Sequence, residues 1–305
     1  LSWLESEGKD AEQTDGIGAL ETMSFLDEFS KGDENFFLAF GLYRPHVPFV
    51  APKKYFDLYD IDDFEVPESS QEYLKSIPTT AALTVRAKKE QLNLDPQLAK
   101  KIKRAYYATT SFMDAQIGRV LDKLKETGLD KNTIVIFTSD HGYHLGEQGH
   151  WQKKTLFENS TRVPLIIAGP GIKKNKIIYN LVELVDLYPT IMDLVKFKPP
   201  QFLSGKSIVP ILKNPEIIIR ESALSELQVK RDNGISQGYS IKTNRYRLNQ
   251  WEYQGLKQYE LYDHFNDDSE LNNLAEQRDF KQIKDSLITI LNSRIIAAQK
   301  PPVGL

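Results

Sequence analysis

At 305 residues, with 40% apolar and 27% charged residues and a mean hydropathy of -0.43, the chain can build one large and one smaller folded unit. No apolar run approaches the roughly 20 residues of a membrane helix, and a net charge of -3 with a pI of about 6.0 argues against nucleic acid held by counterion release. Zero cysteines exclude disulfides, thiolate metal sites and a cysteine nucleophile.

Leu1-Ser-Trp carries neither an initiator Met nor a signal-peptide pattern, so the chain is expected to be truncated or processed. Asp15 offers a helix cap, and Ile17, Leu20, Met23, Leu26 and Phe29 follow at helical spacing. Phe36-Phe-Leu-Ala-Phe40 predicts a short strand. It empties into a loop, residues 41–49, that two prolines stiffen and that presents Arg44 and His46. Residues 50–95 are mixed in composition and predict irregular structure.

Asp95-Pro96 predicts an N-cap followed by proline at the first helical position. From there Leu98, Ile102, Ala105, Thr109, Phe112, Gln116, Ile117, Val120 and Leu124 trace one helical face, and Gly128 is the stop. The predicted helix is about 45 Å long at 1.5 Å per residue. It feeds the strand Thr133–Thr138, and a further strand, Pro164–Ala168, ends in Gly169-Pro-Gly171 before a helix over 188–195. Alternating helix and strand predicts an α/β domain.

From about residue 214 the pattern changes to short aromatic and β-branched runs at 238–243, 246–251 and 259–262. A helix carrying Phe280, Ile283, Leu287, Leu291 and Ile295 follows, predicting a small antiparallel sheet covered by one helix. The basic runs at 87–89, 100–103 and 173–176 read as solvated faces.

Chemistry concentrates in Ser139–Glu158, SDHGYHLGEQGHWQKKTLFE, which holds three of the five histidines directly after a buried strand. Side chains at the carboxyl ends of strands converge on a shared crevice in open α/β sheets. Asp140 and His141 are adjacent, so on a continuing strand they would face opposite ways, and both reach one site only if the backbone curls at Gly142. They are either a pair of metal ligands or a turn residue beside a packed histidine. Among the other histidines, His144 and His150 suit pocket shaping, substrate contact or a structural place, and His264 is expected to do nothing catalytic. Arg44, Tyr143, His150 and Trp151 are candidate substrate contacts, with Arg245 and Trp251 at the rim.

Asp140-His-Gly at a strand end, followed by Gly146-Glu-x-Gly-His-Trp-x-Lys153 and Thr155-Leu-Phe-Glu158, resembles the sulfatases of the alkaline phosphatase superfamily, and most closely their iduronate-2-sulfatase-like branch. Other segments agree in order: Phe37-Leu-Ala-Phe-Gly-Leu-Tyr-Arg-Pro-His-Val-Pro-Phe49, Tyr106-Tyr-Ala with Asp114 and Gly118, Val185-Asp-Leu-Tyr-Pro-Thr190, and Gly238-Tyr-Ser-Ile-Lys-Thr with Glu260-Leu-Tyr-Asp263 and Asn273-Leu-Ala275. Together they span nearly the whole chain.

The resemblance implies an alkaline phosphatase-like α/β sandwich with a largely parallel central sheet. Residues 1–213 would be the C-terminal part of its catalytic domain and 214–305 a small α+β subdomain. Asp140 and His141 would be ligands of a divalent cation, Ca2+ in most such enzymes; His46 would stabilise or protonate the leaving alcohol, and Lys153 would bind sulfate. Lys154 would be a solvated neighbour. A sulfated saccharide is the implied substrate, in a periplasmic, secreted or lysosomal-type compartment.

The chain departs from the family in lacking its nucleophile motif, its upstream acidic pair and its first Lys/His group. Sulfatases convert the Cys or Ser of Cys/Ser-x-Pro-x-Arg to formylglycine, and the nearest match here, Ser76-Ile-Pro-Thr-Thr80, lacks the arginine. The expectation is a C-terminal portion whose nucleophile and remaining metal ligands lie in a missing N-terminal part, inactive alone. Rival readings are a degenerate sulfatase-like binding module, and a phosphatase or phosphodiesterase of the same superfamily.

Overall fold

A computed structural model describes residues 1–67, 71–85, 91, 93–231 and 233–300; the basic run at 87–89 lies outside them. Packing divides the chain into two units, each assembled from three separate stretches. The first is Leu1–Pro67, Asn93–Ile136 and Ile167–Gly171, and the second is Glu68–Leu92, Phe137–Ile166 and Ile172–Leu305. Packing therefore groups 137–166 and 172–213 with the C-terminal sheet, across the 213/214 boundary drawn from composition.

In the first unit the long helix Pro96–Glu126 forms as its signals predict. The Asp95 carboxylate accepts from Leu98 N at 3.0 Å, Pro96 opens the first turn, and Gly128 ends the run at φ 74°. Ala99, Ile102, Ala105, Thr109, Phe112 and Gln116 are its buried stripe. Strands Trp3–Ser6 and Phe49–Pro52 pair in parallel, Trp3 opposite Phe49. The Phe49 ring meets Tyr106 edge-on at 5.7 Å and the Tyr55 ring meets Phe112 at 5.5 Å. The chain at 49–67, and in the second unit at 71–85, is more ordered than its composition suggests: the former holds this strand and the short helix Lys53–Phe56, the latter helices Gln71–Ser76 and Thr79–Val85.

Two expectations fail here. Helix Thr14–Phe29 buries Asp15, Gly16, Ala19, Thr22 and Leu26, while Ile17 and Leu20 are 55% and 43% exposed. Small residues set this face because the backbone comes close: a Cβ on Gly16 would fall 1.8 Å from Asp10 O. Residues 36–40 form no strand among the described residues. Their exposure alternates with period two, as in extended chain, yet no neighbouring strand supplies a ladder.

In the second unit, strands Ala223–Arg231, Gly234–Lys242, Tyr246–Tyr253 and Leu256–Asp263 form an antiparallel meander in chain order. Three were predicted; Ala223–Arg231 was not. Alternation sends Ile241, Leu248 and Leu261 into one core with Leu287 and Leu291 of helix Lys281–Gln299. Trp251 and Tyr262 point the other way, into a second core with Leu156, Phe157, Tyr73 and Ile77. Gly238 admits Trp251 there, since a Cβ would lie 2.6 Å from the indole ring. Strands Val135–Thr138 and Leu165–Ala168 pair with each other, and the chain passes between the units within each. Among the described residues no helix is long and apolar enough to cross a membrane.

Candidate active site

The first unit carries the Arg44–His46 loop, and a residue that sequence reasoning misplaced holds it. Asp15 is the second residue of its helix rather than the cap. Its two carboxylate oxygens accept from Tyr43 N at 2.8 Å and Arg44 N at 2.9 Å. At 2% exposure this is a buried clamp on the backbone just before His46. The Arg44 side chain is spent on the loop itself: Nε donates to Val50 O at 2.9 Å and Nη1 to His46 O at 3.3 Å. Burial lowers the Arg44 guanidinium pKa from its ordinary value, against the opposing charge of Asp15. His46 is exposed, and its Nδ1 donates to Val47 O at 2.6 Å, which leaves Nε2 open to solvent-borne partners.

The second unit carries the block after Thr138. The strand stops there, so Asp140 and His141 escape the opposite-face rule. Asp140 Oδ2 lies 3.3 Å from His141 Nε2. His141 Nδ1 can only donate to Gly142 O, at 2.8 Å, so the neutral ring turns its Nε2 lone pair toward a carboxylate oxygen. Two acceptors so close call for a cation between them, either a proton or a metal ion. Asp140 Oδ1 is already occupied by His141 N at 3.0 Å, which leaves Oδ2 as the ligand atom. The pair therefore fits two adjacent positions around a divalent cation, with the other ligands still to be supplied.

Gly142 is required for room. A Cβ would stand 2.0 Å from Asn159 O and 2.9 Å from Arg162 O, because Gly142 N donates to Ser160 O at 2.9 Å. Lys153 follows Gln152, whose φ of 90° is unusual for a residue with a side chain. Lys153 is half-buried and makes no ion pair among the described residues. Lys154 is exposed, as expected.

His150 and Trp151 are 6% and 4% exposed and pack inward. His144 is fully buried and meets the His150 ring edge-on at 4.9 Å. Burial, then the neighbouring His150, hold His144 neutral, with its pKa well below the usual histidine value. Trp251 is also buried, donating Nε1 to Glu260 at 2.7 Å, and Arg245 is bound through two nitrogens to Asp263. Neither forms a free rim contact.

One cluster has metal-like spacing: Glu158, His264 and Glu270, with ligand atoms within 4.8 Å of one another. A guanidinium already fills that place. Arg247 donates to Glu158, to Glu270 Oε1 at 2.5 Å and to Ser240 Oγ at 2.8 Å, and His264 Nε2 bonds Glu270 at 2.8 Å. No residue of the chain fits a formylglycine precursor: Ser76 ends a helix and donates to its own Tyr73 O at 2.7 Å.

The sulfatase family model matches residues 10–197, and a model described as N-sulphoglucosamine sulphohydrolase, C-terminal, matches 146–297. A sulfatase of Formosa agariphila is 35% identical over 275 residues, covering 87% of this chain and 51% of its own length. Iduronate 2-sulfatase of Homo sapiens is 30% identical over 218 residues, covering 59% of this chain and 39% of its own. Among solved structures, a protein in complex with its substrate D-glucosamine-2-N,6-O-disulfate superposes with a TM-score of 0.78 at 21% identity, covering 95% of this chain and 71% of its own. The chain spans about half the length of the curated relatives it matches. With the alkaline phosphatase-like α/β fold and the ordered motifs of its sequence, it belongs to the sulfatase family.

Proposed function

We propose that the protein is a sulfuric ester hydrolase acting on a sulfated carbohydrate, and that its nucleophile lies in sequence outside this chain. The observation that carries this is the Asp140–His141 pair, two acceptor atoms converging at 3.3 Å just past the end of a strand. Asp140 Oδ2 and His141 Nε2 would hold a divalent cation, Ca2+ by the chemistry of the family, which when bound offsets negative charge on the sulfate group. The Lys153 ammonium binds the non-bridging oxygens and stabilises the charge that grows on them as the S–O bond breaks. His46, fixed by its Nδ1 bond to Val47 O, presents Nε2 to the leaving oxygen. When protonated, it gives that oxygen the proton with which the alcohol departs.

Residues 1–213 act in this scheme as the C-terminal part of the catalytic domain and 214–305 as its small subdomain. The complementary N-terminal part is the expected partner, and a periplasmic, secreted or lysosomal-type compartment the expected setting. A sulfated sugar is favoured by the solved neighbour bound to a glucosamine disulfate and by the iduronate 2-sulfatase relative.

The test is hydrolysis of an aryl sulfate with Ca2+ present. The chain alone is expected to be inactive, and addition of the N-terminal part of the coding sequence to restore turnover that His46→Ala and Lys153→Ala each reduce. Turnover by the isolated chain that His46→Ala abolishes would show that the nucleophile is within it. No turnover from the completed protein would leave a sulfatase-like binding module.

A further inference from the structure

The hairpin that carries Lys153 is short, its turn closed by Gly146 N to His150 O at 2.9 Å and His150 N to Glu147 O at 2.8 Å. Its ladder is only His144 opposite Gln152 and Leu145 opposite Trp151. Two of its residues, Gln148 and Gln152, hold φ at 51° and 90°, a conformation that persists in a residue with a side chain only where the surroundings impose it. What imposes it is a line of buried side chains.

Gln148, 5% exposed, donates Nε2 to Ser269 O. That fixes which end of the amide is the oxygen, and Gln148 Oε1 is buried without a hydrogen-bond partner. His144 Nδ1 is likewise buried and unpartnered, and the Gln148 side chain is one of the groups acting on that ring. On its other side His144 Nε2 lies 2.8 Å from Thr155 Oγ1, which lies 2.9 Å from Ser160 Oγ.

A neutral imidazole has one N–H. Placed on Nδ1 it serves the two acceptors that act on that ring, the Glu147 backbone and then the Gln148 side chain, and Nε2 accepts from the Thr155 hydroxyl, which in turn accepts from Ser160. Every donor then runs one way, from Ser160 to Ser269. Two neighbouring members of this line, Ser160 and Thr155, touch the site. Ser160 O receives Gly142 N at 2.9 Å, next to His141, and Thr155 N donates to Lys153 O at 3.0 Å.

We propose that Gln148, His144, Thr155 and Ser160 form a buried brace that sets Lys153 relative to the Asp140–Gly142 turn, and are positioning residues for the sulfate-ester site. Their role as such depends on the sulfatase function proposed above. The brace replaces the rigidity that a two-pair ladder lacks, and misplacement of a binding group by about 1 Å can cost on the order of 100-fold in rate.

Nitrogen NMR of this chain with labelled histidine reads the brace directly. His144 is expected to carry its single proton on Nδ1 and to stay neutral below the usual histidine pKa. Thr155→Val is expected to shift the backbone amides of both 140–142 and 153–155, and Thr155→Ser to restore them; Ser160→Ala does the same work if the valine variant does not fold. Inorganic sulfate titrated into wild type should shift the amides around Lys153, with affinity about tenfold weaker in Thr155→Val than in Thr155→Ser. A proton on His144 Nε2, shifts confined to 153–157, or equal sulfate affinity in the two variants would each overturn the brace. Sulfate that shifts nothing in wild type, beside a His144 spectrum as expected, would instead count against the sulfatase function.

Discussion

Arg247→Leu keeps most of the buried volume at its site while removing the guanidinium that Glu158 and Glu270 share. Arg247 and Glu270 side chains are 2% and 1% exposed, so the Glu270 carboxylate cannot be rehydrated without opening the unit, while Glu158, at 22%, keeps some access to water. Hydrogen bonds to charged groups contribute about 1.5–3 kcal/mol each, so the two to carboxylates account for about 3–6 kcal/mol, and the bond to Ser240 Oγ is lost with them. Breaking a buried ion pair by removing one partner costs about 3–5 kcal/mol, in agreement.

The pH dependence adds a sign. Burial pushes Glu270 up, but the Arg247 charge, the His264 bond and the Glu158 N–H together hold it below its usual 4.5. A carboxyl lowered by folding contributes stability above its unfolded pKa and loses it as pH falls through the folded value. Without Arg247 burial prevails, the carboxyl rises, and proton uptake stabilises the variant as pH falls from neutral. Urea unfolding followed by tryptophan fluorescence should therefore show a loss of about 4 kcal/mol at pH 8 and a smaller loss at pH 5. A loss below about 1 kcal/mol at pH 8, or one that grows toward acid, would refute this account of the network.

Glu260 gives a dependence of opposite origin. Burial raises it to about 7 despite bonds from Trp251, Tyr262 and Asn249, so the folded state keeps a proton that the unfolded chain has shed above 4.5. Stability should fall by about 3 kcal/mol as pH rises through that window, and Glu260→Gln should flatten the profile; parallel profiles for the two proteins would exclude the buried carboxyl as its source. Gly142→Ala drives a methyl into Asn159 O and Arg162 O and should cost more than about 2 kcal/mol by thermal unfolding, while an unchanged melting temperature would mean the turn is free to move. Asp15→Ala removes the acceptors of Tyr43 N and Arg44 N. Hydrogen exchange at those two amides should accelerate on the order of tenfold or more while the long helix stays protected, and exchange rates unchanged at both would show that the clamp is not what orders the loop.

Much of this molecule is legible in its sequence because the signals are local. The long helix announces itself through Asp95, Pro96 and a stripe at three- and four-residue spacing, and the C-terminal sheet through alternation that sends Leu261 and Tyr262 to opposite cores. Asp140 and His141 are adjacent, so their pairing needs only a strand that ends in time. What was missed depends on partners far along the chain. Asp15 reads as a cap because the amides it holds lie 28 and 29 residues away. His150 and Trp151 read as substrate contacts because nothing nearby reveals that the hairpin turns them inward. Phe36–Phe40 has a strand's composition, and composition carries no information about a neighbouring edge.

Neither packing unit is a contiguous piece of chain, and this orders events during synthesis. The first unit is closed by residues 167–171, so its opening 67 residues wait for a further hundred to emerge from the ribosome. At about 5–20 residues per second, that interval is long beside the microseconds in which a helix such as Thr14–Phe29 can form. During it, Ile17, Leu20 and Phe37 belong to a nascent chain with most of its partners unmade, open to capture by chaperones or by other chains. For the same reason no single cut yields either unit intact: a cleavage anywhere between residues 68 and 166 separates the first unit from the strand that closes it.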